Sequence, residues 1–515
     1  MKIIFRVDAS RRIGTGHIIR CLTLARVLQN RGGQCGMLQR RHEGNLIELV
    51  SKSGLDSYEL AAPPPANQPI ADEDYAAWLG VTTSADARES KEVLGHDACD
   101  WLVIDHYSLD ESWEQSMRSH AGRILVIDDL ANRFHDCDTL VDQNYYRAGR
   151  GRYQDLLPES ARILTGPRYA LLGERYRKHR PKRPAADHAI RRVLIYYGGV
   201  DPTNETSRAL RVLSLPEFAD LDVDVVIGIN NPHHKEAEQL IEQRPRTYLH
   251  DQQNDLVDLM LSADLTLGAG GTTTWERCCL GLPSVVTTVA ANQVLYNREL
   301  ARDGLIAYAG DSSQLTDDRL AAILGPLVKH PHTAADLARN SWRLVDGWGA
   351  VRVAELMLPT PPEQLTLRDA EAGDISLFFG WANEIENRRH SFDPKPVSWK
   401  THVEWFDQRL ASDHAWLWVL CADDGLPVGE AHIEKKSHQA VLSFSLDADY
   451  RGRGWGGHFL QKIAERWQIE QNTLPLIGEV LKTNPASMRC FEATGCFRSI
   501  SDNDTHQTYQ LEKTQ

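Results

Sequence analysis

The feature that most constrains the fold is a series of short apolar runs that do not alternate with polar residues. Trp101–Asp105 (WLVID) and Arg123–Asp128 (RILVID) are two of them, each ending in an acidic residue. A strand with one wet face alternates apolar and polar side chains. A strand that is apolar at consecutive positions buries both faces, as in a parallel sheet covered by helices on either side. The spacing predicts a strand over Lys2–Val7 and a helix over Ile18–Asn30, where apolar residues recur at helical intervals. The first half of the chain therefore reads as parallel α/β.

Arg177–Ala186 (RKHRPKRPAA) is basic and proline-bearing and reads as a linker, with a lobe boundary near residues 175–190. A second α/β series follows it. Arg192–Tyr197 is a strand ending at Gly198-Gly199, Asp222–Ile227 is another, and Ala263–Leu267 leads into a glycine loop. Pro359–Pro362 (PTPP) is the next break. After it Trp416–Cys421, Val428–Glu434 and Ala440–Leu446 read as successive antiparallel strands, followed by a helix from Gly454. Strands followed by a helix in this order suggest α+β. The length of 515 residues predicts three to four folding units, taking about 100–200 residues for each.

The net charge of −14 argues against a large nucleic-acid footprint, which needs clustered basic charge. Nine scattered cysteines without a CxxC pair argue against a disulfide framework or a zinc site and point to a reducing cytoplasm. The opening MKIIFRVDAS runs straight into a strand without an apolar signal core, and no apolar run approaches the roughly 18 residues a membrane span needs. Neither nucleic acid nor membrane is expected as a partner.

Two glycine-rich turns carry the chemistry of the first two series. Gly14-Thr15-Gly16-His17 lies between a strand and a helix, where glycines allow close backbone approach and the helix start offers N–H groups to an anion. His17 at that mouth is suited to proton transfer. A glycine turn beside a solvent-facing histidine is the plain alternative. The second signal is Gly268-Ala269-Gly270-Gly271-Thr272-Thr273-Thr274-Trp275-Glu276, followed by Gly281–Ser284 (GLPS) and Ala291-Asn292-Gln293. A strand, a glycine loop and a helix start make a diphosphate cradle. Glu276, in the first helical turn, could accept hydrogen bonds from ribose hydroxyls, or merely complement the helix dipole.

This constellation resembles the nucleotide-sugar site of GT-B glycosyltransferases. More closely, residues 1 to about 355 are similar to the UDP-sugar hydrolases of pseudaminic acid biosynthesis, which cleave UDP-2,4-diacetamido-2,4,6-trideoxy-β-L-altropyranose. The matching pieces are FRVDASRRIGTGHIIRCLTLA, IDHY at Ile104–Tyr107, GPRYALL at Gly166–Leu172, YYGGVDPTN at Tyr196–Asn204, and GAGGTTTWE with GLPS and ANQ. The resemblance implies His17 as the base or water-orienting residue. It implies UDP or sugar contacts from Gly14, Gly16, Arg168, Gly270, Gly271, Thr272, Glu276, Asn292 and Gln293, with Asp105, His106 and Tyr107 lining the cleft. Water would attack the anomeric carbon and UDP would leave. No acidic cluster stands near these motifs, so no metal is expected.

In the last series, Tyr450-Arg451-Gly452-Arg453-Gly454-Trp455-Gly456-Gly457 opens the helix His458–Trp467, again offering backbone N–H groups to a phosphate. A flexible basic turn is the plain alternative. Its Arg-x-x-Gly-x-Gly pattern resembles the acetyl-CoA pyrophosphate loop of GNAT acetyltransferases, and Asn484–Phe497 resembles their closing segment. The resemblance covers residues 363–512 and is closest to the N-acetyltransferase of the same pathway. It implies acetyl-CoA as co-substrate, held by Arg451, Gly452, Arg453, Gly454, Trp455, Gly456, Gly457, Asn484, Ser487 and Phe491, with Gly456 letting the pyrophosphate approach. Many family members carry a tyrosine where this chain has Phe491, and phenylalanine cannot protonate the CoA thiolate. Tyr450 is another donor to consider, though it could simply pack. Glu430 and His432, in VGEAHIE, are candidate bases for the substrate amine.

The expected architecture is thus an α/β GT-B-like pair of Rossmann-type lobes, 1–175 with the catalytic histidine and 190–355 with the UDP site, followed by an α+β GNAT domain at 363–512. The expected activity is bifunctional, on a UDP-amino sugar and acetyl-CoA as small-molecule partners. A UDP-sugar glycosyltransferase fused to an acetyltransferase would instead need an acceptor. A catalytically inactive nucleotide-sugar-binding regulator would bind without turnover.

Overall fold

A computed structural model describes residues 1–65, 74–96, 98–182, 188–228, 231–250, 255–470 and 474–512. The chain divides into two compact units, Met1–Leu358 and Pro359–Gln515.

The first unit holds two parallel sheets. One comprises β1 (Lys2–Val7), β2 (Gln34–Arg40), β3 (Asp56–Leu60), β4 (Cys99–Asp105), β5 (Ala121–Ile127), β6 (Thr139–Asp142) and β7 (Arg162–Thr165), in the order 3-2-1-4-5-6-7. The other comprises β8 (Arg192–Tyr196), β9 (Asp222–Val226), β10 (Thr247–His250), β11 (Leu265–Ala269), β12 (Ser284–Thr288) and β13 (Ala307–Asp311), in the order 10-9-8-11-12-13. Both orders reverse beside the first strand of their sheet, which is the doubly wound arrangement with its ligand crevice at the carboxyl ends of the strands. The unbroken apolar runs have the cause read from sequence. Ile3, Phe5, Trp101 and Val103 enter one core cluster, while Ile4, Leu102 and Ile104 enter another on the opposite face.

After the second sheet the chain crosses back. The helix Gly349–Met357 buries Ala350, Val353, Ala354 and Met357 in the first lobe's core, beside Ile18, Cys21 and Leu22 of the helix Gly16–Asn30. Two facing Rossmann lobes with this return helix are the GT-B arrangement. Glycine is required where the return helix begins: a Cβ on Gly349 would lie 2.2 Å from the Ala170 carbonyl oxygen and 2.5 Å from the Tyr169 carbonyl carbon. Gly349→Ala should lower the stability of this unit by about 1–3 kcal/mol, the usual range for overpacking. Denaturant unfolding measures it, and an unchanged midpoint would show that the helix does not dock there.

The segment Arg177–Ala186 is in part structured. Its start belongs to the helix Glu174–His179, the Trp342 indole donates to the Pro181 carbonyl at 3.0 Å, and the Arg180 guanidinium lies 3.8 Å from the Trp342 ring centroid. Residues 183–186 of that segment lie outside the described residues.

The second unit is a mixed sheet of β14 (Thr366–Asp369), β15 (Ala415–Cys421), β16 (Pro427–Lys436), β17 (Gln439–Leu446), β18 (Leu476–Leu481), β19 (Phe497–Asp502) and β20 (His506–Leu511), in the order 14-15-16-17-18-20-19. β14 to β17 are antiparallel neighbours. β17 and β18 run parallel and pair only from Ala440 opposite Leu476 to Leu442 opposite Gly478, whereas β17 stays paired with β16 as far as Leu446. The sheet is therefore forked beyond Leu442. No described helix is long and apolar enough to cross a membrane.

Candidate functional sites

In the first unit the loop after β1 closes on itself. Gly14, at φ +79°, donates its N–H to the Ser10 carbonyl at 2.9 Å, and the helix Gly16–Asn30 then begins with no side chain capping it. His17 stands in its first turn, 9% exposed. Its Nδ1 lies 2.6 Å from Asp105 Oδ1, at the carboxyl end of β4. Arg20, one helical turn on, grips the same carboxylate through Nε at 2.6 Å and Nη2 at 2.5 Å. Burial works to raise the Asp105 carboxyl, but the charge of Arg20 and the contact with His17 outweigh it and hold the group well below the usual carboxylate range. An ionised Asp105 accepts the Nδ1–H of His17. That fixes the tautomer of a neutral ring and leaves Nε2 as the acceptor.

A cleft is lined by Gly16, His17, Arg20, Tyr107, Asn292 and Gln293, together with Asp129, Gln143, Asn144, Gly271, Thr272 and Tyr296. It brings the two glycine turns face to face, since a Cβ on Gly16 would lie 3.9 Å from Thr272 Oγ1. Tyr107 donates its hydroxyl to Asp129 at 2.5 Å, and Asn292 Nδ2 of the second lobe approaches the same hydroxyl at 3.5 Å. The lobes are also tied by Tyr145, which donates to Asp303 at 2.8 Å, and by the Arg147 backbone N–H, which donates to Glu299 at 2.7 Å.

The helix Thr272–Leu280 starts at Gly271, whose φ of +106° is in glycine's range, and no side chain caps it. Gly270 has no room for a side chain: a Cβ would lie 2.8 Å from both Asn297 Nδ2 and Tyr296 Oη. Its neighbour Gly271 donates its N–H to the Tyr296 hydroxyl at 2.6 Å. Because the helix begins only at Thr272, Glu276 stands in the second turn, not the first, and the first turn carries no acid. Burial pushes its carboxyl up to about 7, although Tyr176 hydrogen-bonds it.

Several residues lie elsewhere than the sequence suggested. Asp105 and His106 are buried beneath the cleft wall instead of lining it. His106 Nε2 faces Asp8 Oδ2 at 3.3 Å, within a buried cluster in which Arg6 bridges Asp8 and Asp86. Arg168 is half-buried outside the cleft lining, its guanidinium 5.3 Å from the Tyr169 ring centroid. Arg20, Asp129, Gln143 and Tyr296 were missed. Arg20 had a signal, since it lies three residues after His17 and so on the same helical face. Asp129 had another, at the carboxyl end of a parallel strand.

In the second unit, Arg451–Gly454 turns into the helix Trp455–Glu470 with Gly452 and Gly454 at φ +77° and +78°. Arg451 is committed to Glu384 at 2.6 Å and Asn387 at 2.9 Å, which tie the loop down. Arg453 lies over the rings of Tyr450 and Trp455, themselves stacked 5.4 Å apart. Gly456 serves packing: a Cβ there would meet Cys490 Sγ at 2.5 Å. Gly457 faces open space. Asn484 caps the helix Pro485–Thr494 by accepting the Ser487 N–H at 3.1 Å. Phe491 is core, stacked on Tyr509 at 4.8 Å and filling the space over Gly478, where a Cβ would meet its ring at 2.4 Å. Glu430 and His432 share one face of β16, His432 Nδ1 lying 3.3 Å from Glu430 Oε2.

Residues 364–496 match the family model of the acetyltransferase (GNAT) domain. The C-terminal unit carries that domain. Along 99% of the chain, and the whole of its own length, an uncharacterised protein of Methanocaldococcus jannaschii is 20% identical. The spore coat polysaccharide biosynthesis protein SpsG of Bacillus subtilis is 26% identical over 38% of this chain, which spans 58% of SpsG. A UDP-2,4-diacetamido-2,4,6-trideoxy-beta-L-altropyranose hydrolase of Campylobacter jejuni is 26% identical over 50% of this chain and 81% of its own length. Among the described residues no group of three or more histidine, cysteine, aspartate or glutamate side chains is placed to hold a metal ion.

Proposed function

We propose that the first unit hydrolyses a UDP-linked diacetamido-trideoxy sugar to UDP and the free sugar, and that the second acetylates the amine of the UDP-4-amino sugar that precedes it, as in pseudaminic acid biosynthesis. The observation that carries this reading is the His17–Asp105 pair at 2.6 Å, facing the uncapped glycine start of the Thr272–Leu280 helix across one cleft. The name of the Campylobacter jejuni relative supports the substrate.

In this reading each group has a part. The leaving diphosphate meets the N–H groups of Thr272 and Thr273, a fixed positive end that needs no reorganisation as charge develops. A water above His17 gives its proton to Nε2 as its oxygen bonds the anomeric carbon and the bond to UDP breaks. Asp105, held by Arg20, stabilises the imidazolium so formed.

Glu276 gives the binding a pH dependence. With its carboxyl at about 7 in the free protein, the ionised form that accepts ribose hydroxyls is lost as pH falls through that value. UDP affinity should drop about tenfold between pH 8 and pH 6. Glu276→Gln should remove that part of the profile, and calorimetric titration of both proteins reads the difference. Identical profiles would take Glu276 out of the nucleotide site.

The reading is tested by mass spectrometry of products from a panel of UDP-amino sugars with and without acetyl-CoA. The 4-amino sugar should gain one acetyl group before UDP appears. A pocket shaped for an acetamido group would lose about 1–3 kcal/mol with the missing methyl, and would further have to bury an unpaired ammonium. UDP release that requires a sugar acceptor, or that is as fast from the 4-amino sugar as from the acetylated one, would overturn it.

A further inference from the structure

The forked sheet of the C-terminal unit has two unlike faces. On one, Phe444 of β17 packs edge-on against Phe459 of the helix Trp455–Glu470, centroids 5.7 Å apart. This is the side of the glycine turn. Side chains alternate along a strand, and directly opposed residues of an antiparallel pair share a face. Glu430 opposes Ser445 and His432 opposes Ser443, so these four stand together on the other face. From Ser443 onward this part of β17 has no partner strand on its β18 side among the described residues. A polar stripe thus lies beside the opening in the sheet, on the face away from the glycine turn.

The stripe is ordered internally. Glu430 is 8% exposed, and both its oxygens are committed. Ser445 donates its hydroxyl to Oε1 at 3.2 Å, and Oε2 lies 3.3 Å from His432 Nδ1. A carboxylate so engaged is a poor proton acceptor for a substrate. It is well placed to take the Nδ1–H of the imidazole and leave Nε2 as the basic atom. The His432 side chain is 28% exposed. The Trp405 ring, from the helix Trp399–Leu410, meets it edge-on at 5.4 Å. Trp405 is itself held between His402, stacked at 5.6 Å, and the Arg409 guanidinium at 5.1 Å. A ring so held fixes the orientation of the imidazole it meets.

We propose that His432, held by Glu430 and Ser445 on the face of the sheet opposite the glycine turn and set by Trp405 at its edge, is the base that takes the proton of the acceptor amine. This rests on the acetyl-transfer reading above. The amine lone pair attacks the thioester carbonyl carbon, the C–N bond forms and the C–S bond breaks with its electron pair on sulfur. The N–H proton passes to His432 Nε2 and from there to solvent, while the CoA thiolate takes a proton from solvent and leaves as the thiol. His432 is the catalytic residue and Glu430 a positioning residue.

The test measures two reactions of the full chain: acetyl transfer to the UDP-4-amino sugar, and the slow hydrolysis of acetyl-CoA with water as acceptor. His432→Gln should lower kcat of acetyl transfer by about 10²–10⁴-fold with the KM for acetyl-CoA unchanged, because the glycine turn lies on the other face. Glu430→Gln keeps an oxygen for the Nδ1–H and should retain activity within about tenfold of the parent, while Glu430→Ala should fall well below it; this rescue by the conservative variant is what a merely structural Glu430 would not give. Parent-level kcat in His432→Gln in both reactions, with circular dichroism unchanged, would overturn the assignment, as would a loss confined to the KM for acetyl-CoA. If the parent acetylates no amino sugar yet its acetyl-CoA hydrolysis falls in His432→Gln, the base assignment stands and the acceptor reading falls.

Discussion

His17→Ala should cut UDP release from the acetylated UDP-sugar by about 10²–10⁴-fold, the contribution expected of a positioned general base, and leave acetyl transfer unchanged in the same preparation. Alanine at this site leaves Arg20 and Asp105 paired at 2.5 and 2.6 Å, so no carboxylate is left without a partner and the fold should persist. Asp105→Asn probes the same pair from the other end. An amide offers Nδ1 no charge and can present an N–H instead, which favours the wrong tautomer of the ring, so hydrolysis should again fall steeply. Stopped-flow or coupled assay of UDP reads both. Parent-level hydrolysis by folded His17→Ala would remove His17 from the chemistry.

Gly457→Asp should weaken acetyl-CoA binding by about 10–10³-fold while sparing the hydrolase. A Cβ at Gly457 meets nothing within 4 Å, and an acidic residue in the first turn of Trp455–Glu470 suits the helix dipole, so folding is undisturbed. The new carboxylate would stand where the pyrophosphate meets the helix start. Two unit charges about 4 Å apart near a protein surface repel by about 4 kcal/mol, and solvent screening leaves roughly a 10–10³-fold loss of affinity. Gly456→Val is the less informative change. Its side chain would strike Cys490 Sγ and part the helix from Pro485–Thr494, so lost activity there would report packing. Unaltered acetyl-CoA binding by Gly457→Asp, measured by calorimetry, would place the pyrophosphate elsewhere.

The fold class was legible because burial leaves a mark on consecutive residues. Trp101 to Ile104 are apolar without interruption, and they are so because alternate side chains serve two cores. The fork in the last sheet left no such mark. It depends on where β17 stops pairing with β18, a matter of hydrogen-bond register between segments more than thirty residues apart.

What the sequence by itself determined is local: where strands pass into glycine turns, where helix starts leave N–H groups unspent, and that His17 and Arg20 share a helical face. Tertiary structure alone decided which groups these meet. Asp105 is 88 residues from His17 and reaches its ring only because β4 lies next to β1 in the sheet. Gly16 faces Thr272 because two lobes close on one cleft. Glycine tells the reader that a side chain is absent, not why: Gly456 gives way to Cys490, Gly478 to Phe491, and Gly457 to open space. The physical reason is common to all three. Composition and period specify how a segment folds on itself, whereas a contact between distant segments is fixed by packing, and no residue carries its partner's address.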